Sequence, residues 1–209
     1  MIILGLTGSV GMGKSTAAAM LRRLGVPVHD SDAAVHRLLA PGGAAVKAVA
    51  ELFPEAVTRE GGIDRTAVGR RVFADPAALR RLERVLHPLV RRSQERFLKR
   101  ARARHLPLVV LDVPLLLETG GEKRCDAVIV VSAPAWLQRA RVMARPGMTE
   151  ERFQAMLRKQ MPDDEKRRRA DFVVPGGLGR AVTFRALKRV LREVRDRFGS
   201  CVADSVPAN

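Results

Sequence analysis

Five short apolar runs recur along the chain, at Ile2–Leu6, Val26–His29, Leu108–Val113, Ala127–Val131 and Phe172–Val174. Most are continuous Val, Ile and Leu rather than alternating apolar and polar residues, which is how strands buried on both faces of a parallel sheet read. Between them the period changes to that of a helix. The first helix is predicted from Lys14 to Leu24, where Gly25 and Pro27 end it and restart the chain. A last helix is predicted over about Leu178 to Phe198, with Phe184, Leu187, Val190, Leu191 and Val194 at helical spacing. This alternation predicts an α/β fold, a doubly wound sheet with its ligand at the carboxyl ends of the strands.

From Ser31 to Leu106 the rhythm breaks. The pattern predicts several helices punctuated by Pro41-Gly42-Gly43, Gly61-Gly62 and Asp75-Pro76, with no convincing strand. An all-helical insertion between sheet strands suggests a subdomain for an acceptor substrate over the strand ends. A second insertion, Thr149 to Ala170, opens with Thr149-Glu150-Glu151 as a helix start and carries the run Asp163-Asp164-Glu165-Lys166-Arg167-Arg168-Arg169. That run reads either as a mobile lid over a triphosphate or as a solvated helix face. The core is assigned to 1–30, 107–145 and 171–198, the helical insertion to 31–106 and the lid to 146–170. Residues 199–209 are expected to be a disordered tail.

Composition narrows the class. The chain has 209 residues, 46% of them apolar, enough for one domain with a sizeable core. No apolar run approaches the roughly 20 residues needed to span a bilayer, and the N-terminus lacks the pattern of a signal peptide. The two cysteines, Cys125 and Cys201, suggest a reducing compartment and a cytoplasmic protein. Cys125, just before an apolar run, reads as a core filler. The net charge is +16, from 38 basic and 22 acidic residues, and calls for a polyanionic partner. Much of that excess lies on helices, as with Arg80, Arg84, Arg91, Arg96 and Arg100, mixed with apolar residues at helical spacing. There is no tyrosine and no aromatic interleaving of the kind that stacks bases. Small phosphorylated molecules are therefore expected as partners, with no nucleic acid and no membrane, and the chain as a monomer or weak homo-oligomer.

The chemistry starts at Gly8-Ser9-Val10-Gly11-Met12-Gly13-Lys14-Ser15-Thr16, which follows the first apolar run and opens the first helix. Gly8 and Gly13 with four residues between them, then Lys and Ser, are the spacing of a phosphate-binding loop. Glycines let backbone N–H groups turn around a phosphate chain, and the helix N-terminus adds partial positive charge. Lys14 is placed to reach the β- and γ-phosphates, and the Ser15 hydroxyl to hold Mg²⁺.

A phosphate loop by itself does not separate a hydrolase from a kinase. No Asn-Lys-x-Asp guanine-reading motif is present, and Asp30 and Asp32 follow the second predicted strand. A carboxylate there could take the proton of a hydroxyl attacking the γ-phosphoryl group. Asp30 reads equally as a helix N-cap. Asp112 ends a buried strand and needs a partner for its charge. His29, His36 and His105 show no ligand spacing, so no zinc site is assigned.

With these pieces in view the chain resembles the dephospho-CoA kinase family. The resemblance rests on Leu6 to Thr16, Asp30-Ser31-Asp32, Val72-Phe73, Leu86-His87-Pro88-Leu89 and Leu111-Asp112-Val113-Pro114-Leu115-Leu116-Leu117-Glu118. It continues through Arg141 with Arg145, Gln160-Met161-Pro162 and Ala170 to Val174, in the family's order. The His87-Pro88-Leu89 and Pro114-Leu115-Leu116 blocks are its specific part. It implies a phosphate-loop kinase fold: a five-stranded parallel sheet flanked by helices, a helical insertion and a short lid. It implies ATP and Mg²⁺ as cofactors, and phosphorylation of the ribose 3′-hydroxyl of dephospho-coenzyme A. The competing readings are another nucleoside or nucleotide kinase, or a nucleic-acid-associated ATPase.

By the same resemblance Asp32 is the general base, with Lys14 and Arg141 also catalytic. Gly8, Gly11, Met12, Gly13, Lys14, Ser15, Thr16 and Arg145 bind the nucleotide. Asp32, His87, Pro88, Leu115 and Glu118 meet the acceptor, and Ser15 with Asp112 or Asp32 holds the metal. His87 is read at the start of a helix with Pro88 in its first turn, and Arg141 and Arg145 one turn apart on one helix. Gln160 and Lys166 match the family's lid loosely. Met12 stands where the family has Ser, and Pro175-Gly176-Gly177 replaces a polar turn with Asn.

Overall fold

The computed structural model describes residues 1–203. They divide into two compact units: Met1–His29 together with the chain from His105 onward, and Asp30–Arg104.

The first unit is built on a five-stranded sheet in the order β2-β3-β1-β4-β5. The strands are β1 (Ile2–Thr7), β2 (Val28–Asp30), β3 (Leu108–Asp112), β4 (Ala127–Ser132) and β5 (Phe172–Pro175). β1 pairs in parallel with β3 and β4, and β4 with β5. The continuous apolar runs have the reason expected of them: all five residues of β3 and the first five of β4 are buried. Register sets Leu6 opposite Asp112 on one side and Ile129 on the other, so the ends of β3 and β4 flank the point where β1 releases the chain.

Helix α1 spans Lys14–Arg23, and beyond the second unit, which supplies four more helices, come α6 (Ala135–Met143), α7 (Glu150–Arg158), α8 (Asp163–Arg169) and α9 (Arg180–Ala203). Ala17, Ala18 and Leu21 of α1 join Leu187, Val190, Leu191 and Val194 of α9 in one core with Leu4, Leu6, Val110 and Ile129. A separate cluster sets Leu116 and Leu117 against Val128 and Val130. Two aspartates fix strand entries: Asp126 Oδ2 accepts from Ile3 N at 2.7 Å and Asp171 Oδ2 from Val128 N at 2.8 Å. α9 runs to Ala203, past the end expected at Phe198, and the remainder of the expected tail, 204–209, lies outside the described residues.

The second unit holds α2 (Ser31–Leu39), α3 (Val46–Leu52), α4 (Arg65–Ala74) and α5 (Pro76–Ala103), with a short 3-10 turn at Pro54–Ala56. Its core gathers Leu38, Val49, Phe53, Val68, Leu82 and Leu86. Asp75 caps α5, its Oδ1 accepting from Ala77 N at 2.8 Å and Ala78 N at 3.1 Å. These N–H groups, Ala78 first, with a smaller contribution from Arg81, hold the Asp75 carboxyl below its ordinary pKa.

One helical boundary differs from expectation. His87 and Pro88 lie inside the 28-residue α5, not at a helix start. A proline in a helix interior removes an N–H and costs about 3 kcal/mol. Here the stripe Ala78, Leu82, Leu86, Gln94, Leu98 and Ala101, buried along most of the helix length, outweighs that cost and carries the helix through.

Candidate active site

The loop between β1 and α1 has little room for side chains. Met12 N donates to Ser9 O at 3.2 Å, closing a turn that Gly11 continues at φ +78°. A Cβ on Gly11 would lie 2.7 Å from Val142 Cγ2 and 2.9 Å from the Gln138 carbonyl oxygen. Only glycine meets both demands. Gly13 caps α1 with left-handed backbone and supplies no side-chain hydrogen bond to the helix. The first N–H groups of α1 are thus left for a ligand, the arrangement that binds phosphate.

Lys14 Nζ lies 2.6 Å from Asp112 Oδ1. Asp112 is 2% exposed, so its charge has the partner that burial demands. A lysine has three donors, which leaves capacity for phosphate oxygens beside this contact. Ser15 is exposed on the first turn of the same helix. Its hydroxyl and the Asp112 carboxylate are hard oxygen donors that suit magnesium, an ion that keeps several waters and takes only one or two protein ligands beside phosphate. The donor set fits that ion, and among the described residues no cluster of three or more His, Cys, Asp or Glu competes for it.

Side chains from outside the loop grip its backbone. Val10 N donates to Gln160 Oε1 at 3.0 Å, and Gln138 Nε2 donates to Val10 O at 2.8 Å. Arg141 donates to Gly11 O at 3.3 Å and to Gly176 O at 2.9 Å. It therefore stands beside the phosphate loop, where its guanidinium fork already spans two carbonyls. Gly176 comes so close that a Cβ there would run into the Met12 carbonyl oxygen. The Pro175-Gly176-Gly177 departure thus has a packing reason. The Met12 thioether accepts from Ala133 N at 3.1 Å.

Arg145 is a correction. α6 ends at Met143 with Ala144 as its C-cap, so Arg145 lies beyond the helix and is exposed, not one turn along from Arg141. The cause is Pro146, which disfavours helical backbone in the residue before it, and Gly147, which turns the chain at φ +70°.

The charged run of the second insertion forms α8, and its side chains have definite partners. Ser132 Oγ donates to Asp163 Oδ2 at 2.6 Å, and Arg169 Nη2 lies 2.8 Å from Glu122 Oε1. Lys166 is fully buried with Nζ 2.8 Å from Glu118 Oε1, an ion pair by proximity rather than an aligned hydrogen bond. Glu118 Oε1 also accepts from Met161 N at 2.9 Å. Glu118, expected at the acceptor, is in this structure engaged by Lys166 and the link between α7 and α8. Of the Pro-Leu-Leu block, Leu116 is core with Leu117, while Leu115 is half-buried and its carbonyl accepts from Thr119.

In the second unit Asp30 is the N-cap of α2, Oδ1 accepting from Ala33 N at 2.9 Å. Asp32 is exposed in the first turn of that helix, the only acidic residue there. His87 and Pro88 are exposed on α5. Sequence reasoning missed Gln138 and Asp163. Gln138 has a signal in hindsight: it shares the buried stripe of α6 with Val142, one turn away.

A parallel sheet in this strand order, with the Gly8–Thr16 loop between β1 and α1, defines a phosphate-loop kinase fold. A sequence model described as dephospho-CoA kinase matches residues 2–177. The dephospho-CoA kinase of Mesorhizobium japonicum is 52% identical over 200 residues, 96% of this chain and 100% of that protein. That of Paramagnetospirillum magneticum is 66% identical over 167 residues, 80% and 78% of the two chains. A crystal structure from Thermus thermophilus superposes with a TM-score of 0.79 at 45% identity, covering 92% of this chain and 97% of the other. The dephospho-CoA kinase of Campylobacter jejuni gives a TM-score of 0.68 at 25% identity, covering 92% and 96%. The chain belongs to the dephospho-CoA kinase family.

Proposed function

We propose that the chain transfers the γ-phosphoryl group of ATP to the ribose 3′-hydroxyl of dephospho-coenzyme A, giving coenzyme A and ADP. The observation that carries the reading is the amino end of α1, uncapped by any side chain and headed by Lys14 at 2.6 Å from Asp112. There the β- and γ-phosphates meet backbone N–H groups and the Lys14 ammonium. Ser15 and Asp112 would hold Mg²⁺, which when bound neutralises charge on the phosphates. Arg141, fixed beside the loop by two carbonyls, adds a fork suited to spread phosphoryl charge. The 3′-oxygen bonds to the γ-phosphorus as the bond to ADP breaks, and Asp32 takes the hydroxyl proton. The family membership and the exposed carboxylate two residues beyond β2 support Asp32 in that role. His87 and Pro88 of α5, with Leu115, complete the proposed acceptor side. The net charge of +16 suits two substrates that each carry several phosphate charges.

The test is an ADP-release assay with ATP, Mg²⁺ and a panel of 3′-hydroxyl acceptors. Release with dephospho-coenzyme A but not with adenosine or cytidine is expected. Asp32→Asn should lower turnover by at least about 10²-fold, the size of a general-base contribution, with ATP affinity nearly intact. Near-normal turnover in that variant would remove Asp32 from the role.

A further inference from the structure

Val10 is the loop residue whose peptide groups are both taken by side chains from elsewhere. Its N–H goes to Gln160 Oε1 at 3.0 Å and its C=O receives Gln138 Nε2 at 2.8 Å. Gln138 is 5% exposed on α6, held in place by the same stripe that buries Val142. Gln160 is half-buried in the link between α7 and α8. The neighbouring peptide of that link is itself anchored, Met161 N donating to Glu118 Oε1 at 2.9 Å with Lys166 beside it. An ordered chain of contacts therefore runs from a buried ion pair through Gln160 to the phosphate loop and on to α6.

We propose that Gln138 and Gln160 are positioning residues that grip the two peptide groups flanking Val10, one each. The grip fixes the turn into Gly11, so that the amides of Gly11 and of Gly13 to Thr16 are held in the concave arrangement a triphosphate needs before it arrives. It also ties the shape of the loop to the α7–α8 link. Glutamine suits the task because it donates on one side and accepts on the other without adding charge. A carboxylate at either place would set a negative charge close to the phosphates. Glu118 acts one step further back, setting the backbone from which Gln160 reaches. The inference rests on the reading of the loop as an ATP site.

The test uses the full chain with Gln138→Met, Gln160→Met and the double variant, titrated with MgATP by calorimetry and assayed with both substrates. Methionine keeps the length of the side chain and removes its hydrogen bonds. Each single change is expected to weaken ATP binding about fivefold to tenfold, the worth of one hydrogen bond in a partly buried site. The KM for dephospho-coenzyme A should stay within about twofold, a split that general loosening of the fold would not give. In the double variant the loss should fall short of the product of the singles, because both side chains hold the backbone of one residue. Gln160 is the variant least able to disturb folding, being half-buried in a link. Unchanged ATP affinity in both singles, or equal losses for both substrates, would overturn the grip. A wild-type chain that binds no ATP would overturn the ATP-site reading and the grip with it, a result distinct from either.

Discussion

Around the phosphate loop, order comes from polar side chains that seize backbone, Gln138 and Gln160 on Val10 and Arg141 on Gly11 and Gly176, together with the Lys14–Asp112 ion pair. In the Asp30–Arg104 unit it comes from apolar packing of Leu38, Val49, Phe53, Leu82 and Leu86, while Asp32, His87 and Pro88 lie exposed on helices. The difference follows from what each region has to present. A loop of glycines has no side chains with which to hold itself, and amides aimed at a ligand cannot also be spent on one another. Its shape must be imposed from outside. A helix satisfies its own backbone, so a residue on its surface is placed once the opposite face is buried.

The comparison breaks most visibly at Lys14. Lys14→Ala should weaken ATP binding and lower turnover by at least about 10²-fold, as removal of a preorganised donor does. It also removes the ammonium 2.6 Å from the buried Asp112, so urea unfolding should show a loss of stability. If neither ATP binding nor turnover changes, the assignment of the loop is wrong.

Phe53→Ala tests the other side. Phe53 is 2% exposed in the core of the α2–α5 unit, and its truncation should remove about 3 kcal/mol or more by chemical denaturation. Calorimetry on the folded variant should find ATP affinity within about twofold of wild type, since the loop is held by other contacts. A tenfold change (or larger) would mean that the two regions do not keep their order separately.

Pro88→Ala probes a smaller effect with opposite signs in the two readouts. Restoring an N–H to the interior of α5 should raise stability by about 1 kcal/mol, part of the penalty of a helical proline. Efficiency with dephospho-coenzyme A should fall if Pro88 belongs to the acceptor side. Stability and activity rising together would leave Pro88 with no part in acceptor binding.

The smallest effect is expected at Cys125, whose thiol burial pushes up to about 11, with Asp126 adding to the shift. At pH 8 only about one thiol in a thousand is ionised, so iodoacetamide should react far more slowly with native Cys201→Ser protein than with the same protein in urea. Reaction should quicken as the pH rises toward that value. Equal rates in native and unfolded protein would show that Cys125 is not held as the small core residue its position suggests.

Much of the fold was legible because burial on both faces leaves a distinctive mark. The runs at Leu108 and Ala127 contain almost nothing polar, and the strands observed there begin at the residues expected. The cap at Asp30 was legible too, since it is a short acceptor just before a helix. Other features were not. Pro88 is a helix breaker by local rule, and only the packed stripe on either side of it decides that α5 continues. Spacing alone puts Arg145 on a helix with Arg141, against the Pro146 signal, and α6 ends at Met143, two residues before Arg145. The family resemblance puts Glu118 at the acceptor, yet its partner Lys166 is distant in sequence and no local pattern joins the two.

What the chain determined by itself is the loop and the strands that carry it. Their requirements are local: glycine where a Cβ has no room, lysine at a helix start, unbroken apolar runs where both faces are covered. What tertiary structure alone decided is which polar side chains would meet that loop. Gln138 and Gln160 reach Val10 across 128 and 150 residues of sequence, and a glutamine announces nothing about the distant peptide it will hold. A hydrogen bond needs its partners within a fraction of an ångström, and only the assembled sheet with α6 and the α7–α8 link packed on it supplies that precision.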